Sequence, residues 1–230
     1  MKLVLFDIDG TLLWTEGAGR RAMEGALTAS FGTPGDPNYR YDGKTDKQIV
    51  REQMRAAGYE DARIDALMPA VFADYLIRLE AELSSPDPVV HRYDGVLELI
   101  DAVDAHDQHV LGLLTGNLAE GARCKLSAVG LDFERFIVGA FGSDQESRPA
   151  LPAVAIARAR ESLGLDVPGD RVVIVGDTPS DIECGRSVGA RAIAVATGRY
   201  TVEQLAAHNP AAVFADLRDT AAVLRAIDDA

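Results

Sequence analysis

Cysteine and long apolar runs are both scarce in this chain. Only two of its 230 residues are cysteines, Cys124 and Cys184, and two such distant cysteines do not make the disulfide framework of a small secreted protein. No apolar stretch reaches the ~18 residues of a membrane-spanning helix. The first apolar run is interrupted at Asp7, too early for a secretory signal peptide. We therefore expect a cytoplasmic protein with free thiols and no membrane contact.

Basic residues are also in short supply. The chain has 23 Lys and Arg against 36 Asp and Glu, a formal net charge of −13 at pH 7. That charge disfavours general affinity for nucleic acid or for an anionic membrane surface. An anionic substrate would need local positive charge or a metal ion. The remaining composition, 47% hydrophobic and 26% charged, is typical of a globular protein of one or two domains with a sizeable core.

A pair of carboxylates follows the first apolar run. Residues 3–6 predict a buried strand, and Asp7, Asp9 and Gly10 come directly after it. In extended chain the two carboxylates leave the same face, ~6.6 Å apart. At that distance they repel by roughly 2.5 kcal/mol at an effective dielectric constant near 20. A cation between them, or a proton on one of them, would remove the repulsion, and either points to chemistry. The simpler alternative is that Asp-Gly-Thr only turns the chain.

Residues 15–91 predict an all-helical insert. Apolar residues recur at helical spacing over 16–31 and over 64–83. The sequence Thr-Asp-Lys-Gln at 45–48 fits a capping box at the start of a further helix. The insert contains no convincing strand, and it ends in a polar, proline-containing linker at 84–88.

From Asp94 onward, predicted helices alternate with short apolar strands. Alternation of this kind indicates parallel strands joined by crossover helices, hence an α/β fold with a doubly wound, Rossmann-like sheet. We expect this core to consist of residues 1–14 and 92–230, with the insert between them. Its further strands are predicted at 110–114, 136–141, 171–175, 192–196 and 213–215, and its helices at 96–105, 119–129, 151–163, 180–188, 202–207 and the C-terminus.

Polar residues follow the ends of four consecutive predicted strands. Ligands of doubly wound sheets bind beyond the carboxyl ends of the strands, near the point where the strand order reverses. We therefore expect these residues to meet at one edge of the sheet. They are Asp7 and Asp9, then Thr115, Gly116 and Asn117, then Arg148, and finally Asp177 and Asp181.

Three short motifs lie in register with these strand ends: Asp-Ile-Asp-Gly-Thr at 7–11, Thr-Gly-Asn at 115–117 and Gly-Asp-Thr-Pro-Ser-Asp at 176–181. In this order they resemble the haloacid dehalogenase superfamily, and within it the phosphoglycolate-phosphatase-like hydrolases with a helical cap. The resemblance covers nearly the whole chain, including the insert. It implies a Mg²⁺-dependent phosphatase that hydrolyses a small phosphorylated metabolite, phosphoglycolate-like or a sugar phosphate. Such a protein would be a monomer or a homodimer.

The resemblance also implies catalytic roles. Asp7 would be the nucleophile, attacking phosphorus to form an aspartyl-phosphate. Asp9 would protonate the leaving oxygen and then activate water, a role that typically contributes ~10²–10⁴-fold. Thr115 and the backbone N–H groups of Gly116 and Asn117 would cradle the transferring phosphoryl group.

By the same resemblance, Mg²⁺ would be held by the Asp7 side chain, the Asp9 backbone carbonyl and Asp177. Asp181 would be an alternative ligand or would support the ligands from behind. An all-oxygen site of this type suits Mg²⁺, and the ion would offset the repulsion between the first two carboxylates. The histidines of the chain have no metal-ligand spacing, and we assign none of them a role.

One position departs from the family's pattern. The family usually has a lysine after the third strand, but no lysine follows Lys125. Arg148 is the expected substitute, because a guanidinium can hold phosphate and carboxylate together; the alternative is a solvated loop residue. In the insert, Lys44 is expected to bind the substrate, while Arg20 and Arg21 either reach it or form a solvated helix face.

Other functions remain possible from the sequence. A phosphomutase shares the nucleophile, the acid/base and the cap, and a phosphonate hydrolase would use Lys44 as a Schiff base. A true dehalogenase characteristically lacks the second aspartate, Asp9. A dinucleotide-binding domain needs a glycine-rich turn where this chain has two carboxylates. A catalytically silent binding protein would not need both Asp7 and Asp9.

Overall fold

The computed structural model describes residues 1–85 and 90–230. The strands are β1 (Lys2–Phe6), β2 (Leu13–Trp14), β3 (His91–Arg92), β4 (His109–Leu114), β5 (Val138–Ala140), β6 (Val172–Gly176), β7 (Arg191–Val195) and β8 (Ala212–Phe214). The helices are α1 (Ala18–Phe31), α2 (Asp46–Ala56), α3 (Asp61–Leu83), α4 (Val96–Asp104), α5 (Ala119–Ala128), α6 (Leu151–Leu163), α7 (Pro179–Cys184), α8 (Val202–Ala206) and α9 (Thr220–Asp229).

β1 lies inside a parallel six-stranded sheet whose strand order is β5-β4-β1-β6-β7-β8. Its residues are all buried, because helices cover both faces of the sheet. Val4 and Phe6 pack in one cluster with residues of α4, α5 and α9, whereas Leu3 and Leu5 pack in another with residues of α6 and α7. The predicted doubly wound α/β fold is confirmed. The strand order reverses beside β1, which is where such sheets bind ligands.

Helices α1, α2 and α3 pack around a hydrophobic cluster of their own. Leu27, Val50 and Leu79 are fully buried in it, one from each helix. β2 pairs antiparallel with β3 through Leu13 with Arg92 and Trp14 with His91, which brings the two ends of the helical segment together. The domain boundaries at 14/15 and 91/92 stay a prediction. The linker predicted at 84–88 lies outside the described residues beyond Ser85.

The capping box predicted at 45–48 is only half formed. Thr45 Oγ1 accepts a hydrogen bond from the Gln48 amide at 3.1 Å, as expected. The Gln48 side chain instead donates to Glu52 Oε1, four residues further along the same helix, at 2.7 Å. Complete capping boxes begin α7, from Thr178 to Asp181, and α8.

Two core elements are shorter than the sequence predicts. β5 covers only Val138–Ala140 instead of 136–141, and a 3₁₀ turn at 133–135 precedes it. The helix expected at 180–188 ends at Cys184, and a separate 3₁₀ turn follows at Arg186–Val188. The carboxyl end of β5 lies only one residue before the predicted end. Within the described ranges, no helix combines the length and the apolar character needed to cross a bilayer.

Candidate active site

The end of β1 is fixed against β6 before the chain turns. The Asp7 amide donates to the Val175 carbonyl at 2.9 Å, which extends the pairing of β1 with β6 by one residue. The chain then folds back, with the amides of Leu12 and Leu13 donating to the Ile8 carbonyl at 2.9 and 3.2 Å. This turn leaves the Asp7 carboxylate buried at the carboxyl edge of the sheet.

Asp7, Asp177 and Asp181 form a buried carboxylate cluster at that edge. Each offers an oxygen within 4.8 Å of the other two. Burial raises the pKa of Asp7 to about 6, and the neighbouring carboxylates add to this effect while Arg148 opposes it. Burial, with Asp181 and Asp7, also raises the pKa of Asp177 well above its ordinary value. Thr11 Oγ1 donates to Asp177 Oδ1 at 3.1 Å.

Arg148 enters the same cluster. Its Nη2 lies 3.3 Å from Asp7 Oδ1 and forms an ion pair with Asp181 Oδ1, and all three side chains are buried. When all groups are ionised, the three carboxylates and one guanidinium leave an excess of two negative charges. A divalent cation with oxygen ligands would neutralise that excess, so the residues present fit a metal ion.

The members of the cluster are not equally available to a metal. Asp181 Oδ2 accepts hydrogen bonds from the Thr178 amide at 2.9 Å and from Thr178 Oγ1 at 2.7 Å, while Oδ1 pairs with Arg148. Asp7 and Asp177 have fewer protein partners. The geometry therefore favours Asp7 and Asp177 as direct ligands and Asp181 as a support that orients Arg148.

Asp9 has a different set of partners. Lys125 Nζ lies 2.8 and 2.7 Å from its two carboxylate oxygens, and Asn117 Nδ2 donates to Oδ2 at 2.7 Å. Asn117 also donates to Thr115 Oγ1 at 2.8 Å and accepts from Lys125 through its own side-chain oxygen at 2.6 Å. The Asp9 carboxylate is thus paired with the Lys125 ammonium, and the predicted metal ligands stay a prediction.

The family model for haloacid dehalogenase-like hydrolases matches residues 4–186. The chain belongs to this family. The family resemblance inferred from the three motifs is confirmed.

Individual relatives of this haloacid dehalogenase-like hydrolase cover most of its length. The phosphoglycolate phosphatase of Rhodospirillum rubrum is 27% identical over 221 residues, which span 94% of this chain and 87% of that protein. The N-acetylmuramic acid 6-phosphate phosphatase of Pseudomonas aeruginosa is 28% identical over 226 residues, 94% of this chain and 91% of that one. The solved structure of a hydrolase from Pseudomonas syringae matches with a TM-score of 0.73 at 20% identity and covers 98% of each chain, which shows a shared fold.

In this hydrolase, the cluster opens into a cavity of about 320 Å³ between the sheet edge and the helical segment. Asp7, Asp9 and Arg148 line it from the core, whereas Tyr39, Lys44 and other residues of 14–49 and Tyr75 line it from the opposite side. A cavity of this size admits a small molecule.

The cations expected in the insert are already engaged. Lys44 Nζ lies 2.5 Å from Glu52 Oε2 and 2.8 Å from the Tyr39 hydroxyl. Partial burial raises the pKa of Glu52, but the hydrogen bonds that Glu52 accepts from Lys44, Tyr39 and Gln48 outweigh it and lower the pKa to about 2. Lys44 therefore lines the cavity as one half of an ion pair.

The two arginines of α1 behave differently from each other. Arg20 lines the cavity, but its guanidinium pairs with Glu24 at 2.7 Å and donates to the carbonyls of Pro37 and Tyr39, so it braces the loop after α1. Arg21 pairs with Glu82 of α3 at 2.7 Å, on the exposed helix face that was one of its two expected positions.

Sequence reasoning missed Lys125 and Asp46. Lys125 is buried beside Ala122 and Leu126 on α5, and a lysine at a buried helical position was the available signal. Asp46 is buried at the start of α2, where the capping pattern drew attention to Thr45 instead. Neither residue belongs to the three motifs.

The structure also groups three residues whose spacing gave no signal. His106, His109 and Asp228 each offer a possible ligand atom within 4.8 Å of the others, and the two imidazole rings stack at 4.0 Å between centroids. His109 is the first residue of β4, so the group lies at the amino edge of the sheet, opposite the candidate active site.

Proposed function

We propose that this hydrolase is a Mg²⁺-dependent phosphatase that cleaves a small phosphate monoester through an aspartyl-phosphate on Asp7. The observation that carries the proposal is the buried cluster of Asp7, Asp177, Asp181 and Arg148 at the edge of a small cavity, beside Asp9. The two relatives named as phosphatases of phosphoglycolate and of N-acetylmuramic acid 6-phosphate support a small phosphorylated substrate.

In the first half-reaction, an Asp7 carboxylate oxygen bonds to phosphorus while the bond between phosphorus and the ester oxygen breaks. Asp9 gives its proton to that oxygen. In the second half, water bonds to phosphorus and loses a proton to Asp9, and the bond between Asp7 and phosphorus breaks to release inorganic phosphate. Lys125 and Asn117 hold the Asp9 carboxyl group in place for both proton transfers.

Asp7, Asp177 and the Asp9 backbone carbonyl would hold Mg²⁺, with Asp181 supporting them from behind. When bound, the ion supplies charge stabilisation for the phosphoryl oxygens. Arg148 opposes the effect of burial on Asp7 and so favours its attacking carboxylate form, since its guanidinium lies 3.3 Å from the Asp7 carboxylate. Its remaining N–H groups are donors for a phosphate oxygen.

The helical insert would exclude stray water from the aspartyl-phosphate. It closes the side of the cavity opposite the sheet edge, and a closed cavity limits unproductive hydrolysis before Asp9 is in place. Lys44 and Tyr39, which line the cavity, would contact the part of the substrate that leaves. A Schiff base on Lys44 is disfavoured, because an ammonium paired with Glu52 is not a free amine.

The test is phosphate release from a panel of small phosphate esters, including p-nitrophenyl phosphate, with and without Mg²⁺. We expect Mg²⁺-dependent release by the wild-type protein and none by Asp7→Asn. Asp170→Asn, which changes an exposed aspartate of the core, is the matched control and should retain full activity. Wild-type protein that releases no phosphate, or an active Asp7→Asn variant, would overturn the proposal; conversion of a sugar phosphate to its isomer would indicate a mutase.

A further inference from the structure

Asp46 joins the helical segment to the loop that follows β4. The Asp46 amide donates to the Gly116 carbonyl at 2.8 Å, and the Asp46 Oδ2 atom accepts from the Leu118 amide, also at 2.8 Å. These two bonds lie on either side of Asn117. Asp46 is buried, so neither bond competes freely with water.

The bond from Leu118 to Asp46 gives a hydrogen-bond partner to an amide at the start of α5. Leu118 precedes the first turn of α5 and has no polar side chain with which to cap it. The first amides of a helix lack partners within the helix, and an unpaired buried amide costs stability. The carboxylate that meets this need comes from α2, 72 residues away in the chain.

The backbones at this contact approach as closely as glycine permits. A Cβ atom at Gly116 would lie 1.9 Å from the Lys44 carbonyl oxygen, so any other residue would force the two segments apart. The next loop of the core lies equally close, since a Cβ atom at Gly142 would lie 1.9 Å from the Gly116 carbonyl oxygen.

The residue held between the two bonds contacts the candidate acid/base. Asn117 donates from its side chain to both Asp9 and Thr115, so the position of the loop determines where that amide points. We propose that Asp46 is a positioning residue, which fixes residues 116–118 and thereby orients Asn117 against Asp9. This inference rests on the proposed function, and it gives α2 a role in arranging the active site besides covering it.

The kinetic test compares Asp46→Ala, which removes the acceptor, with Asp46→Asn, whose amide oxygen can still accept from Leu118. We expect Asp46→Ala to lower kcat about ten- to a hundredfold, with KM within about threefold. Asp46→Asn should stay within about threefold of wild type in both constants. The control is Glu146→Ala, which breaks the ion pair with Arg51 at the same interface and leaves residues 116–118 untouched.

The pattern of losses separates positioning from substrate contact. A positioning role predicts the same fold-loss for every ester in the panel, including p-nitrophenyl phosphate. Three results would each overturn the inference. They are an unchanged kcat in Asp46→Ala, a loss of activity that depends on the leaving group, and an Asp46→Asn variant as impaired as Asp46→Ala. If Asp46→Ala does not fold, Leu118→Pro replaces it, since it removes the same donor and φ of −57° at that position suits proline.

A second readout needs no activity. Hydrogen exchange at the Leu118 amide should be slow in the wild-type protein and at least about tenfold faster in Asp46→Ala. Wild-type protein that hydrolyses no ester but shows this difference would refute the proposed function and leave the anchoring of the loop intact. If the wild-type protein is active but the Leu118 amide exchanges equally fast in wild type and in Asp46→Ala, only the inference about Asp46 is refuted.

Discussion

Arg148 Nη2 lies 3.3 Å from Asp7 Oδ1, and both side chains are almost entirely buried. The same guanidinium pairs with Asp181, so it lies between the candidate nucleophile and a carboxylate at the start of α7. The family usually has a lysine in this region of the chain, and Arg148 is the cation found here. Its position supports the predicted substitution, although its catalytic role remains a proposal.

Replacing Arg148 should impair both activity and stability. Arg148→Ala leaves two carboxylates without their partner, and we expect unfolding to become easier by about 3–5 kcal/mol. We expect kcat/KM to fall by about 10²–10³-fold, as for loss of one preorganised donor. Arg148→Lys should retain more of both, because it keeps the charge.

Phosphate release and urea-induced unfolding provide the two measurements. Arg158→Ala is the matched control, because Arg158 pairs with Asp144 nearby in the core and does not line the cavity. Unchanged turnover in Arg148→Ala would show that the arginine has no catalytic role.

Replacing one of the buried carboxylates should have opposite effects on relative stability with and without metal. Asp177→Asn removes a carboxylate whose pKa is raised by burial and by the charges of Asp181 and Asp7, and the amide oxygen can still accept from Thr11. Without metal, the variant should be at least as stable as wild type. With Mg²⁺ at about 100 times its Kd, wild type should gain about 2.7 kcal/mol and the variant much less.

Thermal unfolding in EDTA and in a MgCl₂ series measures both effects. Asp170→Asn serves again as an exposed control and should respond to Mg²⁺ as the wild-type protein does. Equal stabilisation of wild type and Asp177→Asn would place the ion elsewhere.

The turn after β1 depends on a glycine at position 10. Gly10 has φ of 83°, and a Cβ atom there would lie 2.3 Å from Asp177 Oδ2. Gly58 has φ of 88° with no atom within 4 Å of its Cβ position, so Gly58→Ala isolates the cost of the left-handed backbone, about 1–2 kcal/mol. Gly10→Ala should cost more than Gly58→Ala and should also reduce phosphate release and Mg²⁺ stabilisation. Equal destabilisation with intact activity would show that Asp177 moves aside freely.

His109 should make stability depend on pH. Burial, and then the stacked His106, lower the pKa of His109, whereas Asp228 opposes the shift and Lys2 adds to it. A histidine with a lower pKa in the folded state takes up protons more readily when unfolded. The contribution of His109 to the free energy of unfolding is therefore fully present above about pH 6.5, the ordinary histidine pKa, and is lost as the pH falls below that value.

The comparison for this effect is urea-induced unfolding of wild type and His109→Asn between pH 7.5 and pH 5. Between pH 7.5 and pH 5, the unfolding free energy of the wild-type protein should fall more than that of His109→Asn. His91→Asn, at an exposed position, should track the wild-type protein throughout. A constant difference between wild type and His109→Asn would contradict the assignment.

The sequence alone determined the order of elements and the edge at which the polar residues gather. Periodicity is a local property, and the carboxyl ends of parallel strands share one edge of a sheet. Those two facts were enough to bring Asp7, Asp177 and Arg148 together. Element ends were less certain: β5 is three residues long instead of the predicted six, and the side chain of Gln48 bonds along its helix instead of capping it.

Only the tertiary structure decided which charged groups pair with each other. Lys125 is 116 residues from Asp9, and Asp46 is 72 residues from Leu118, distances over which no local pattern specifies a contact. Asp7 and Asp9 are separated only by Ile8, and no local pattern distinguishes the partners of their side chains. Packing gave Asp7 a buried cluster and Asp9 an ammonium, because the pKa and partners of a carboxylate depend on what the fold buries beside it.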